Sequence, residues 1–364
     1  MARCCGASRY VYNWGLAEWK RQYEAGEKPS SYGLCKKFNH EKDEICPWIR
    51  ELPYAVTEAT FANLNSAFQN FFRRVKNGEK PGYPRFKKRG TRNSFRVRNL
   101  GIENDRIRIT GIGWVRLREP EYIPVDAERY GVYATISERA GRWFISVLAE
   151  DEVTEIETTG ESIGVDVGIN KLAVCSDGKV FENPKALYKY ERKLKRLQRE
   201  LSRRERGSNN RAKTRAKIAK CYARIADIRK YSLHDISHYV TETKRPAVVV
   251  IEDLNVKGML TNHHIARAMS DAAVSELHRQ ITYKAGWSGI EVIKADRWFA
   301  SSKTCSECGS VKTLLKLSER TYACENCGAV IDRDLNAALN LAALSEPPNG
   351  RGLPGELECG NASL

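Results

Sequence analysis

Long apolar stretches are missing from these 364 residues; the longest purely aliphatic run is "AVVVI" at 247–251. A bilayer span needs about 20 such residues, so no membrane-crossing helix is expected. The opening "MARCCGASRYVYNWGLAEWK" carries charges where a secretory leader places its apolar core. Histidine is scarce, with six in all. His234 and His238 in "HDISH" sit at i and i+4 but lack the Glu and third ligand of a zinc-protease helix, so they read as a packing or surface pair. His263 and His264 fall in "TNHHIAR", a polar stretch read as a loop. No Walker-type or dinucleotide Gly motif occurs, and no Ser or Cys nucleophile has partners beside it, which argues against nucleotide hydrolases, dehydrogenases and triad hydrolases.

Acid is outnumbered. Lys and Arg total 61 against 45 Asp and Glu, a formal charge of +16. An excess of that size points to a polyanionic partner, most often nucleic acid. Cysteine is plentiful, but eleven is an odd count, and without a leader a reducing cytoplasm fits better than a disulfide scaffold. Cys4, Cys5, Cys35, Cys46, Cys175, Cys221 and Cys359 show no ligand spacing and read as small buried residues or solvent-facing thiols.

A chain of this length should hold two or three domains. Residues 1–80 read mainly as helices; Ala59, Phe61, Leu64, Ala67, Phe68, Phe71 and Phe72 recur at helical spacing and predict a core face. From 81 the texture changes to "PGYPRFKKRGTRNSFRVRN", followed by short alternating runs that predict a small antiparallel sheet or barrel over 93–150. "DEVTEIETTGES" at 151–162 reads as a linker. "IGVDVGINKLAVCSDGKVFEN" at 163–183 reads as a strand, a Gly turn and two more strands. Residues 186–230 carry 17 Lys or Arg against four Asp or Glu, with Leu187, Tyr190, Leu194, Leu197 and Leu201 stepping by three and four. "GSNN" then turns the chain, and Ile218, Cys221, Ile225 and Ile228 resume the stepping. A basic antiparallel helical hairpin that touches nucleic-acid backbone fits this pattern. Beyond it come a buried strand at 246–252, a helix over roughly 268–286, a strand from 290, a final helix at 334–344 and a Pro/Gly-rich tail expected to be disordered.

Cys305-Ser-Glu-Cys308 and Cys324-Glu-Asn-Cys327 lie 15 residues apart, the spacing of a four-thiolate zinc ribbon. Gly309 and Gly328 permit a left-handed turn after each knuckle. Four thiolates leave no open position, so that Zn²⁺ is expected to be structural. The second knuckle runs directly into acids, "CENCGAVIDRDLNAALN" at 324–340. Asp332 and Asp334 there, Asp166 in "GVDVGIN" and Glu252 closing "VVVIEDL" punctuate an otherwise apolar α/β pattern. Any one alone is more commonly a turn or cap residue. Converging, such carboxylates would repel one another unless cations neutralise them, and would suit two Mg²⁺ or Mn²⁺ ions.

Together "GVDVGINKLAV", "VVVIEDLNVKGM", "SSKTCSECGS", the second CxxC and "DRDLNAALNL" resemble the TnpB (OrfB) family of insertion sequences, and "SRYVYNWGLAEW" and "GYPRFKKR" resemble its recognition half. The resemblance runs over residues 8–343 in order. It implies an α/β RNase H-like (RuvC) nuclease domain with an inserted four-Cys zinc ribbon, preceded by a mixed helical and β-barrel recognition domain. The boundaries expected are 1–157 for recognition (helical 1–80, β-rich 81–150), 158–300 for the nuclease domain with its hairpin at 186–230, 301–330 for the ribbon, 331–344 for the last helix and 345–364 for the tail. It further implies RNA-guided hydrolysis of double-stranded DNA, directed by a guide RNA from the transposon end. By position in the motifs, Asp166, Glu252 and Asp334 become the catalytic ligands of Mg²⁺ or Mn²⁺, and Asp332 a neighbour or cap. Arg73, Arg74, Arg85, Lys87 and Lys88, and on the hairpin Arg192, Lys195, Arg196, Arg199 and Arg203, are the side chains expected at nucleic acid. The implied setting is the prokaryotic cytoplasm, close to the nucleoid. One departure is visible: family members begin with a strand and a Gln/Leu-containing helix before the segment matching "YVYNW", so a first barrel strand is expected to be missing. Two other readings share parts of this pattern: a non-cleaving RNA- and DNA-binding relative that regulates transposition, and a strand-joining transposase.

Overall fold

The computed structural model describes residues 1–345 apart from 91–92, 99, 124–129, 150–156 and 317, with the side chains of 130–133 and 149 also left aside. Half of the expected linker (151–156) and the expected tail from 346 on lie outside the described residues. The chain divides into two compact units, Met1–Glu152 and Val153–Leu364.

In the first unit, α1 (Ala2–Glu24), α2 (Ser31–Ile45), a 3₁₀ turn (Pro47–Glu51) and α3 (Tyr54–Lys76) precede the strands. Val11, Leu16, Leu34, Phe38, Phe61 and Leu64 are buried together. Helices α1 and α3 approach so closely that a Cβ on Gly15 would lie 2.9 Å from Leu64 Cδ2. The predicted face of α3 is buried at Ala59, Phe61, Leu64 and Phe68, but Phe72 is exposed. Packing against α1 ends where Trp19 stacks on Phe68 at 4.0 Å; beyond it Phe71, Phe72 and Tyr83 form an aromatic cluster on the outside.

The strands are β1 (Asn93–Val97), β2 (Gly101–Ile102), β3 (Arg106–Ile109), β4 (Gly113–Arg116), β5 (Tyr130–Arg139) and β6 (Arg142–Ala149). Among the described residues they form two antiparallel sheets of three, β1-β5-β6 and β2-β3-β4, rather than one closed barrel. Alternation works as the pattern requires, with Phe95, Val97, Ile107 and Ile109 turned into the core shared with the helices.

In the second unit a five-stranded sheet has the order β11-β10-β7-β8-β9. Its strands are β7 (Ser162–Val167), β8 (Lys171–Cys175), β9 (Val180–Glu182), β10 (Val248–Glu252) and β11 (Glu291–Ala295). β8 runs antiparallel to its neighbours β7 and β9, whereas β10 is parallel to both β7 and β11. The hairpin is α4 (Ala186–Arg203) and α5 (Asn209–His238), closed over Leu194, Cys221 and Ile225. Ser208 caps α5, and Arg211 Nη1 donates to the Leu201 and Arg204 carbonyls that end α4. The hairpin is longer than the sequence pattern suggested, because α5 continues to His238 and packs Leu233 and Ile236 against the sheet.

A second difference concerns the helix expected over 268–286. It is two helices, α7 (Ala266–Ala272) and α8 (Val274–Trp287), after a short α6 (Val256–Thr261), and the break falls at Ala273 with φ of 55°. Nothing in "SDAAV" signals a stop. Asp271 is pinned instead, accepting from the Leu187 amide and from Arg229 Nε at 2.7 Å, which ties α7 to the hairpin base. The ribbon's β12 (Thr321–Ala323) pairs with β13 (Val330–Asp332), which leads straight into α9 (Arg333–Ala342). Among the described residues no helix is long and apolar enough to cross a membrane.

Candidate active site

Strand periodicity puts the acids on one face. Along β7, Ile163, Val165 and Val167 pack with α5 and α8, so Gly164 and Asp166 turn to the opposite side. Along β10, Val249 and Ile251 share that first core, while Val250 joins Ala295 and Leu341 of α9 in a second. Glu252 therefore shares the α9 face. Parallel pairing of Val165 with Ile251 makes Asp166 and Glu252 neighbours one step further on.

The third acid comes from α9, and glycine sets how near it lies. A Cβ on Gly164 would stand 2.0 Å from the Ala338 carbonyl oxygen and 2.5 Å from the Ala342 nitrogen, so only glycine lets the helix backbone rest on the strand. Asp332 caps the helix, accepting from the amides of Asp334 and Leu335, and binds Lys171 Nζ at 2.7 Å. Asp334 lies 3.8 Å from the same ammonium. Burial pushes the Asp166 carboxyl well above the usual range, and the charges of Glu252 and Asp334 add to the effect, with Arg333 opposing it. Burial also raises Glu252, against a 2.6 Å hydrogen bond from Ser301. For Asp332 burial pulls upward, but Lys171 and the two amides outweigh it and hold the carboxyl low.

The four cysteine sulfurs lie within 4.8 Å of one another and no disulfide joins them; among the described residues they are the one group of three or more His, Cys, Asp or Glu ligands so close, and Asp166, Glu252 and Asp334 stand further apart than that. The two knuckles repeat each other: the Gly309 and Gly328 amides donate back to the Cys305 and Cys324 carbonyls, and both glycines have φ near 75° (75° and 76°). The Ser310 hydroxyl and amide, aided by Asn326, draw the Cys308 thiol down to about 5. At Cys327 the Ala329 amide pulls down, but burial and the three neighbouring sulfurs lift the thiol to about 12. Four sulfurs this close cannot all ionise without a cation, so the donor set suits one closed, four-coordinate Zn²⁺.

The basic side chains expected at nucleic acid are not equivalent. Arg192, Lys195, Arg196, Arg199 and Arg203 are exposed along α4, with Lys195 bridged to Glu191 at 2.7 Å. Arg196, Arg199 and Arg203 line one shallow depression with Arg204. Arg73, Arg74 and Arg85 are exposed in the first unit. Lys87 is engaged: its ammonium sits 3.9 Å from the centre of the Tyr12 ring and its backbone bonds Asn13. Lys88 also has an interaction partner.

Sequence reasoning gave no role of their own to Ser301, Lys171, Asn336 or Asn340, although Asn336 marks the motif position from which Asp334 is counted. The two asparagines did leave a signal, an i, i+4 polar pair on an otherwise apolar helix face. Both are buried and hold the Ser301 and Thr304 carbonyls.

Comparison with known proteins supplies the kinship. A family profile described as "OrfB_IS605: Probable transposase" matches residues 144–263, a "Cas12f1-like, TNB domain" matches 275–341 and a "Helix-turn-helix domain" of the same OrfB family matches 1–28. A Streptomyces pristinaespiralis protein named "Putative RNA-guided DNA endonuclease" is 37% identical over 94% of this chain and 85% of its own length. The chain belongs to the OrfB (TnpB) family. Another relative of this OrfB-family chain, "Putative RNA-guided DNA endonuclease InsQ" of Escherichia coli K12, is 33% identical over 94% of this chain and 88% of its own. The OrfB-family chain also shares its fold with Cas12f1 as solved in a complex with sgRNA and target DNA, at 16% identity and a TM-score of 0.57, covering 94% of this chain and 81% of that one.

Proposed function

We propose that this chain is an RNA-guided, divalent-metal-dependent DNA endonuclease of insertion-sequence type, whose catalytic cations are held by Asp166, Glu252 and Asp334. The observation that carries the reading is that β7, β10 and α9 present three carboxylates on one side of the sheet, where burial, followed by the charges of Glu252 and Asp334, presses Asp166 toward its protonated form. An all-oxygen donor set suits Mg²⁺ or Mn²⁺ rather than zinc. Bound there, two such cations would supply an activated water and stabilise the leaving oxygen of a phosphodiester. The chain's own groups prepare the place. Lys171 draws Asp332 aside at 2.7 Å, which leaves Asp334 as the carboxylate available beside Asp166, and Ser301 holds one oxygen of Glu252.

Three antiparallel strands followed in sequence by two parallel ones support an RNase H-like assignment for this unit. The sulfur cluster, leading through β13 into α9, supports a structural Zn²⁺ that mounts the third carboxylate. The exposed arginines of α4 and the exposed Arg73, Arg74 and Arg85 of the first unit support binding of a guide RNA from the transposon end and of its duplex with target DNA.

The test is Asp166→Ala in the purified chain with its guide. Retained RNA binding and an unaltered melting profile, with cleavage of guide-matched DNA in Mg²⁺ lost, is the expected result. Cleavage at the wild-type rate would remove Asp166 from the site.

A further inference from the structure

A short strap of chain, 300–306, connects the second carboxylate, the last helix and the cysteine cluster. The Ser301 hydroxyl donates to Glu252 Oε1 at 2.6 Å. The Ser301 carbonyl accepts from Asn340 Nδ2 at 2.8 Å, and the Thr304 carbonyl accepts from Asn340 at 2.7 Å and Asn336 at 2.6 Å. The Ser306 amide returns a bond to Asn336 Oδ1 at 2.9 Å, and Cys305 follows Thr304 directly. Ser301 is 5% exposed, Asn336 0% and Asn340 6%, so water does not compete for these groups.

A serine on the surface would bond a carboxylate only part of the time. Here the backbone at Ser301 is held on α9 by Asn340, which leaves its hydroxyl little freedom besides Glu252. Resting on the cation-site reading above, we infer that Ser301 is a positioning residue for Glu252: its hydroxyl occupies Oε1 and orients the carboxylate, leaving Oε2 to ligate a divalent cation. Ligating carboxylates depend on such outer partners, and losing one typically costs about 10–100-fold in metal affinity. The strap also gives Glu252 and Asp334 a common support, because Asn336 stands two residues after Asp334 on α9.

The experiment is Mn²⁺ uptake by the zinc-loaded full chain, read from the electron paramagnetic resonance signal of free Mn²⁺. Zinc content and melting temperature are measured on the same samples. Ser301→Ala is expected to weaken Mn²⁺ binding about 10–100-fold while zinc stays at one per chain. Glu252→Gln should weaken it as well, and adding Ser301→Ala to Glu252→Gln should change nothing further, since both act through one carboxylate. If Glu252→Gln weakens uptake but Ser301→Ala does not, the positioning role is wrong and the cation site stands. If Ser301→Ala weakens uptake equally in the Glu252→Gln background, or sheds zinc in parallel, Ser301 is a structural residue and the inference fails. A wild-type chain whose Mn²⁺ uptake is unaltered by Glu252→Gln overturns the cation site and this inference together.

Discussion

Alanine at Gly164 puts the placement of α9 to a direct test. The added Cβ would meet the Ala338 carbonyl oxygen at 2.0 Å, the Ala342 nitrogen at 2.5 Å and Leu341 Cβ at 2.9 Å. Favourable heavy-atom contacts begin near about 3.5 Å, so the helix must withdraw by upward of about 1 Å. The nearest atoms are backbone, and no rotamer change relieves them. Overpacking of this kind costs about 1–3 kcal/mol, here partly through looser contact among Val250, Ala295 and Leu341. The same withdrawal carries Asp334 away from Asp166, and a misplacement of about 1 Å at a reacting site can cost about 100-fold in rate. Gly164→Ala should therefore melt lower, still bind guide RNA, and cut guide-matched DNA about 100-fold more slowly in single-turnover assays. Wild-type cleavage with an unchanged melting temperature would refute the argument that a glycine contact sets the third carboxylate.

Two further outcomes follow from the surroundings of the site. Cys324→Ser should lower zinc content and cleavage together while guide binding persists, because the knuckle leads through β13 to the Asp332 cap; full cleavage in a zinc-free variant would break that link. His278, in α8, is half-buried with its Nε2 enclosed and unpartnered, and burial followed by the Lys294 charge lowers its pKa to about 4. The unfolded imidazole takes its proton near 6.5, so the neutral ring's stabilisation is complete above about 6.5 and is lost as pH falls toward 4. That loss is of order 3 kcal/mol, and His278→Leu should lack it; parallel stability curves for the two proteins between pH 6.5 and 4 would contradict it.

Much of the candidate site was legible because the chemistry proposed for it needs rare residue types at short spacings. Two CxxC pairs followed by glycines allow few readings, since each knuckle is a local turn. Acids that interrupt apolar strands are conspicuous for the same reason: the pattern on either side predicts burial, and burial is costly for a charge. The core face of α3 was readable from its period as far as Phe68, and failed at Phe72, where nothing packs on it from α1. Helix lengths in the hairpin and the break at Ala273 were not readable, because they depend on Asp271 meeting Arg229 and the start of α4, groups 42 and 84 residues away.

By itself, then, the sequence determined which residues are candidates for the chemistry: four cysteines, a basic hairpin and a set of carboxylates in apolar strands, each a matter of composition over a few residues. Only the tertiary structure decided how they cooperate. Strand parity turns Asp166 and Glu252 to the α9 face, Gly164 admits the α9 backbone, and Lys171 and the helix amides take up Asp332. Asn336 and Asn340 bind the strap whose Ser301 hydroxyl reaches Glu252. Apart from the local amides at Asp332, these contacts join residues distant in sequence, set by the approach of backbones.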